Sequence, residues 1–401
     1  MQTIRITDLP GKEVKTEDFL DGTLSVVSHS GLHAAETFLL GNLPRLTPAH
    51  GPILVAGNRT GVSAMAAAAR FPECPVMCHT FDIHHARAIL RNLAANRFAF
   101  AFTHDPFVTT AGEKVPSPEP GTPPCVNVAC TAAIPSGPYG AALFMATPGT
   151  MTGELILDQL EDIHRNLADG AMCVIACEAE SGPLFKQIKA IFGKFSVLFD
   201  KRGLSCVAAR KQGPLAHPRD FSAAFPASLP GGETHTLVSL PGVFCHRRPD
   251  AGGLALAEIA ARELAPGSRV LDMGCGCGLV GILLAKSQPN VSVTFVDSHA
   301  RALAATQRNL AALGLEKTEL TLSDEGITQP GFSLFAGNPP YYSDFRIAEL
   351  FLRTAHATLR PGGICLMVAK AARTLEARQS SCFGNAEILP RRGYGVVKSL
   401  R

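Results

Sequence analysis

Asn338-Pro339-Pro340-Tyr341 stands directly after the apolar run FSLFAG. An amide, two prolines and an aromatic ring in succession suit one kind of chemistry, the presentation of a planar –NH2 to an electrophile. Successive prolines fix φ and expose carbonyls that no local N–H can claim. The Asn338 amide oxygen and the Pro339 carbonyl can then accept both hydrogens of an amine. That draws the nitrogen lone pair out of conjugation and aims it, a gain from positioning. Tyr341 offers a flat face for stacking a base or clamping an amide. The same four residues also make an ordinary turn, so their meaning depends on what surrounds them.

About 60 residues upstream lies a second cluster. The strand VLD ends in Asp272, then Gly274-Cys275-Gly276-Cys277-Gly278 turns into the helix LVGILLAK. Glycines let the backbone turn tightly and approach a ligand, while the helix N-terminus offers unclaimed N–H groups. Asp297, ending the next strand VTFVD, is placed to accept hydrogen bonds from ribose hydroxyls. Gly276 to Gly281 also spells the dinucleotide fingerprint, so this segment admits either kind of adenosyl ligand. A nicotinamide oxidoreductase is thus one reading, but it leaves N-P-P-Y unexplained.

The elements that position these residues occur twice. Gly57 and Gly61 fall on Gly274 and Gly278 at an offset of 217, and there Arg91-Asn92-Leu93-Ala94-Ala95 falls on Arg308-Asn309-Leu310-Ala311-Ala312. At an offset of about 191, Leu143 to Pro148 falls on Leu334 to Pro339. Each copy reads strand, glycine turn, helix, then a second strand ending in Asp (Asp82 and Asp297) and another helix. Alternation of strands and helices predicts α/β copies with mostly parallel sheets flanked by helices. The expected division is 1–211, a linker at 212–232, and 233–401. The Pro-rich stretch Asp105–Gly140 reads as an elaborated exposed loop.

The first copy is degraded. Val55 stands for Asp272, Arg59 for Gly276, Thr147 for Asn338 and Gly149 for Pro340. A bulky Arg in the glycine turn is expected to block a cofactor, which leaves this copy scaffolding or substrate recognition.

Composition narrows the class. Apolar residues at 46% and charged residues at 18% exclude wholesale disorder. The longest uncharged stretch, Pro120–Gly153, is broken by prolines and glycines, and the N-terminus has no apolar signal core. A cytoplasmic protein is expected, and the internal duplication makes a monomer the simplest state. Twelve cysteines include no twin CxxC spacing, so neither a zinc site nor a disulfide framework is expected. Residues 1–210 carry 17 Lys+Arg against 19 Asp+Glu, net −2; residues 211–401 carry 20 against 15, net +5. A mildly basic second half is compatible with a nucleic-acid partner.

These residues resemble the class I S-adenosylmethionine-dependent methyltransferases. More narrowly, the chain is similar to the bacterial ribosomal RNA guanine-N2 methyltransferases built from tandem Rossmann-like domains with a degenerate N-terminal copy. The resemblance covers nearly the whole chain. It rests on L-D-M-G-C-G-C-G, on N-P-P-Y, on the duplication, and on Ser239 to Gly252, similar to the family's S-L-P-G-V-F-S-x-x-x-L-D-x-G. Cys245 stands for the family serine, Pro249 for its leucine, and Tyr341 for its usual phenylalanine.

The resemblance implies methyl transfer from S-adenosyl-L-methionine to the exocyclic N2 of one guanine in ribosomal RNA, naked or within a ribosomal subunit. Asp272 with Gly274, Cys275, Gly276 and Gly278 would hold the methionine part of the cofactor, Asp297 its ribose, and Asp324 would face its adenine amine. Asn338, Pro339, Pro340 and Tyr341 would form the catalytic loop. Arg247, Arg248 and Asp250 would line the substrate entrance, or else form a solvated loop. The same motif serves glutamine-N5 enzymes acting on release factors and adenine-N6 enzymes, and a non-catalytic RNA-binding factor is a further alternative.

Overall fold

The computed structural model describes residues 2–8, 12–20, 25–27, 33–48, 50–112, 125–147, 151–177, 181–201, 203–340 and 345–401. Two compact units emerge: one of Met1–Asp105 with Lys114–Phe221, the other of Pro106–Glu113 with Ser222–Arg401.

In chain order the first unit contains β1 (Gln2–Asp8), β2 (Lys12–Leu20), β3 (Ser25–Val27), α1 (Ala34–Asn42), β4 (Ile53–Ala56), α2 (Val62–Arg70), β5 (Val76–Thr80), α3 (Ile83–Ala95) and β6 (Phe100–His104). Strand β7 (Thr109–Thr110) follows but groups with the second unit. The first unit resumes with β8 (Val126–Cys130), β9 (Tyr139–Ala146), α4 (Gly153–Asn166), β10 (Leu167–Cys177), α5 (Ser181–Phe192), β11 (Phe195–Lys201) and β12 (Leu204–Arg210). Its main sheet runs β11-β12-β10-β9-β4-β5-β8-β6, parallel except where β12 pairs β10 and β11. All eight positions of β9 are buried, as expected of a central strand covered on both faces.

The second unit holds β13 (Ala223–Ala227), β14 (His235–Ser239), α6 (Ala251–Glu263), β15 (Arg269–Met273), α7 (Leu279–Ser287), β16 (Ser292–Asp297), α8 (Ala300–Ala312), β17 (Thr318–Leu322), β18 (Phe332–Gly337), α9 (Arg346–Thr358), β19 (Leu359–Ala369), α10 (Ala372–Phe383), β20 (Glu387–Arg391) and β21 (Tyr394–Leu400). Its sheet runs β20-β21-β19-β18-β15-β16-β17-β7, with β21 antiparallel to both neighbours. From β11 to β5 in the first sheet and from β20 to β16 in the second the strand order is the same; beyond that the first ends β8-β6 and the second β17-β7, so the architecture is the tandem α/β fold expected from the repeat.

A buried asparagine explains why R-N-L-A-A repeats. Asn92 Nδ2 donates to the Thr60 carbonyl at 2.8 Å, and Asn309 Nδ2 donates to the Cys277 carbonyl at 2.9 Å. Each pins the turn before the first crossover helix of its own copy. Burying an amide without such partners is costly, so neither side chain is easily replaced.

Three expectations need correction. Asp105–Gly140 is not all loop: Val126–Cys130 is a strand of the first sheet, and all of it except Asn127 is buried. The surrounding prolines hid a short apolar run; residues 113–124 lie outside the described part. The second half of 212–232 is not a linker, because β13 pairs with β14 and buries alternate residues Ala223, Phe225 and Ala227. Pro226 is tolerated there because an edge strand leaves one row of N–H groups unused. Finally, β5 ends at Thr80, and Asp82 instead caps α3 by accepting from His84 N at 2.8 Å. At the repeat offset it is Thr80 that corresponds to Asp297.

Among the described residues no helix is long and apolar enough to cross a membrane, and no group of three or more His, Cys, Asp or Glu is placed to hold a metal.

Helix α7 packs directly on the sheet at Gly281, where an added Cβ would lie 2.4 Å from Phe295 Cε1 and 2.9 Å from Val293 Cγ1. Gly281→Ala is therefore expected to destabilise the second unit by ~1–3 kcal/mol, the usual cost of overpacking. Chemical denaturation should show a lower midpoint with an unchanged slope.

Candidate active site

Strand β15 pairs with β16 on one side and β18 on the other, and chain order reverses there. In open α/β sheets ligands bind beyond the carboxyl ends of the strands at such a switch point. Met273 pairs with Gly337, so the residues that follow, Gly274 and Asn338, leave adjacent strands side by side. The register alone brings the two sequence motifs together.

The glycine turn is built as its composition requires. Gly274, Gly276 and Gly278 have φ of +71°, +58° and +84°, where an L side chain is strained. Gly274 is exposed and Gly276 half-buried. A Cβ on Gly276 would meet nothing nearer than Val243 Cγ1 at 3.9 Å, whereas on Gly278 it would press on Ile282 and Thr306 at 2.9 Å. The first position is open to a ligand; the second serves packing.

The three cofactor-side carboxylates differ in setting. Asp272 is 2% exposed, and its Oδ2 accepts from Gly281 N at the start of α7 at 2.8 Å. Asp297 is half-buried; Oδ2 accepts from Gly276 N and Oδ1 from His299 N, each at 2.9 Å. It thus holds the glycine turn as well as standing at the sheet edge. Ser323 N donates to the Asp297 carbonyl at 2.9 Å, which sets half-buried Asp324 at the end of β17 beside β16. Asp272, Asp297 and Asp324 therefore lie in one row at the carboxyl ends of neighbouring strands.

Cys275 and Cys277 are buried. Burial pushes the Cys277 thiol up to about 12, and it pushes Cys275 well up, with Asp297 and Asp272 adding to that shift. Both stay protonated near neutral pH, without the thiolate character that reactivity needs.

On the amine side, Pro339 is buried and Pro340 half-buried. Asn338 Nδ2 donates to Asp250 Oδ2 at 2.7 Å. Asp250 caps α6, accepting from Gly253 N at 2.6 Å, and also accepts from the Cys245 thiol at 3.6 Å. Asp250 therefore stands inside the site, behind Asn338. Arg247 and Arg248 are exposed on the same loop. Tyr341 lies outside the described residues. Sequence reading passed over Phe244, which is 70% exposed beside these arginines; the signal available was its place next to the two arginines and Asp250.

The first unit solves the same local problem differently. Glu36 on α1 is 1% exposed and accepts from Asn58 Nδ2 at 2.8 Å, Ser63 Oγ at 3.2 Å and Ser63 N at 3.3 Å. Burial raises its pKa, and the bonds from Asn58 and Ser63 oppose that shift. An internal carboxylate thus fills the N-terminus of α2, while Arg59 and Thr80 replace Gly276 and Asp297. Sequence reading passed over Glu36, which falls on Gly253 at the repeat offset.

Residues 234–398 match the family model of the methyltransferase small domain. Ribosomal RNA small subunit methyltransferase C of Pseudomonas entomophila (strain L48) is 35% identical over 172 residues, 41% of this chain and 51% of that relative. The protein of the same name from Pseudomonas aeruginosa (strain UCBPP-PA14) is 30% identical over 226 residues, 52% of this chain and 67% of that one. The chain spans about half the length of the curated relatives it matches. The solved T. thermophilus 16S rRNA N2 G1207 methyltransferase, in complex with AdoMet and guanosine, superposes with a TM-score of 0.68 at 20% identity. That superposition covers 90% of this chain and 91% of the other, a likeness of fold.

The setting of Asp272 gives a pH signature. Desolvation pushes its carboxyl up to about 7; the Gly281 N–H pulls it back and the Asp297 charge pushes it further up. An unfolded Asp titrates near ~3.9, so between these values the folded state keeps a proton that the unfolded state has lost. The resulting stability is present in full below the unfolded pKa and is lost as pH rises through about 7. Melting of the ligand-free protein should therefore occur at higher temperature at pH 6 than at pH 8. Asp272→Asn should flatten that difference.

Proposed function

Since the chain belongs to the ribosomal RNA small subunit methyltransferase C family, we propose that it transfers a methyl group from S-adenosyl-L-methionine to the exocyclic N2 of a guanine in small-subunit ribosomal RNA, as a cytoplasmic monomer away from membranes. The observation that carries this reading is Asn338, one residue past the β15–β18 pairing, with its amide nitrogen engaged by Asp250 and so its oxygen left to accept from a substrate amine.

The glycine turn and the row of carboxylates fit the cofactor. Gly276 leaves space where a side chain would stand, and Asp272, Asp297 and Asp324 are acceptors for its ammonium, ribose and adenine groups in turn. When bound, the cofactor supplies a methyl carbon on a positively charged sulfur. Asn338 Oδ1 and the Pro339 carbonyl accept the two N2 hydrogens and turn the lone pair toward that carbon. The new N–C bond forms as the C–S bond breaks, and the extra proton on nitrogen then leaves to solvent. No strong base is required, because the proton becomes acidic only after methylation. Tyr341 would stack the base, and Arg247 and Arg248 with Phe244 would meet the surrounding RNA. A paired guanine must leave its stack, at a cost of a few kcal/mol.

For the first copy we infer a scaffold or recognition role without cofactor, supported by Arg59 in place of Gly276 and Thr80 in place of Asp297. Calorimetric titration with S-adenosyl-L-methionine should give one site per chain. A second site of similar affinity would contradict this.

Asn338→Ala is expected to leave cofactor affinity within ~2-fold of the parent while turnover on small-subunit RNA falls by ~100-fold or more, the scale of lost positioning. Tritium transfer and equilibrium binding separate the two effects. Retained turnover would remove Asn338 from the mechanism.

A further inference from the structure

We propose that Asp250 is a positioning residue for the transfer: its carboxylate determines which way round the Asn338 amide stands, so that Oδ1 and not Nδ2 meets the substrate amine. This rests on the methyl-transfer reading above.

The two ends of an asparagine amide have nearly the same shape, and a half-turn exchanges an acceptor for a donor. Shape therefore cannot choose between them, but hydrogen bonding can. An ionised carboxylate only accepts. With Asp250 Oδ2 at 2.7 Å from the amide, the nitrogen end must face it. Reversal would set two oxygens against each other and would offer N–H groups to the N–H groups of the substrate. The bond is also charge-assisted, roughly twice as strong as a neutral one.

The surroundings of Asp250 go beyond what a helix cap needs. Ser, Thr or Asn caps a helix about as well as Asp. Here three donors converge on one carboxylate: Gly253 N, Asn338 Nδ2 and the Cys245 thiol. A Cβ on Gly252 or Gly253 would come within 3.2 or 3.3 Å of Oδ2, so this pair of glycines keeps room for the carboxylate in its place. Cys245 takes a φ of +52°, a conformation that costs a non-glycine residue energy, and from it the thiol reaches Oδ1. Burial raises the thiol pKa and Asp250 raises it further, so it remains a donor.

The test varies the two polar groups. D250S keeps a good cap but is too short to reach Asn338; it should lower kcat by about 30-fold or more while cofactor affinity and the KM for RNA stay within about 3-fold. N338D sets two carboxylates together, one of which must take up a proton, so its residual activity should rise as pH falls. D250N keeps an amide oxygen at the Oδ2 position, where it can accept from both Gly253 N and Asn338 Nδ2 as the carboxylate does. D250N should therefore exceed both D250S and N338D by about 10-fold or more in kcat, approaching the parent.

Full activity of D250S, or a D250N that binds cofactor normally and is no more active than D250S, would reduce Asp250 to a helix cap. A readout independent of turnover is hydrogen exchange of the Asn338 side-chain NH2 by nuclear magnetic resonance, its signal identified by loss in N338A. Protection in the parent and fast exchange in D250S support the proposal; equal exchange in both overturns it. Should the methylated product prove not to be guanine, the substrate reading fails, while the exchange measurement and the comparison of D250N with D250S still decide the role of Asp250.

Discussion

The parallel pairing of β15 with β18 is the constraint on which the site depends. Neither motif makes a site alone: a glycine turn is a place for an adenosyl group, and Asn-Pro-Pro is an exposed pair of carbonyls. Pairing of Met273 with Gly337 sets the next residue of each strand beside the other. The bulk around the pairing holds that register. Phe351 of α9 lies where a Cβ on Gly274 would reach it at 3.0 Å, and where one on Gly337 would reach it at 2.9 Å. Larger residues at these glycines would push the two strand ends apart or move the helix that covers them.

The duplicated chain shows which parts of this arrangement belong to folding and which to chemistry. Both copies keep the order of the six strands from the antiparallel edge, the turn and the buried asparagine that pins it. Both also set a carboxylate at the N-terminus of the first crossover helix, where the backbone N–H groups call for an acceptor. In the second copy that is Asp272, reaching from the strand end; in the first it is Glu36, reaching from the preceding helix. What the first copy loses, the open glycine at Arg59 and the carboxylate at Thr80, are features that fold stability does not require.

The repeat and the two motifs were legible because they are local in sequence: glycines four residues apart, a strand followed by N-P-P, and R-N-L-A-A at one offset. The mostly parallel sheets followed from the alternation of strands and helices. Other features were not legible, for physical reasons. Asp250 and Asn338 are 88 residues apart, and nothing in either segment announces the other. Glu36 is 22 and 27 residues from its partners Asn58 and Ser63, and nothing near it in the sequence announces them. Strand Val126–Cys130 was masked by its prolines, and Asp82 was misplaced because an Asp after a strand fits a cap as well as a strand end.

In the proposed reaction the amine turned by Asn338 is the N2 of a guanine. The most direct measurement incubates the protein with labelled S-adenosyl-L-methionine and stripped small-subunit RNA, intact subunits and release factor side by side, then digests labelled RNA to nucleosides for mass identification. Label is expected in RNA alone, recovered as N2-methylguanosine. Label in the release factor, or recovered as N6-methyladenosine, would contradict it.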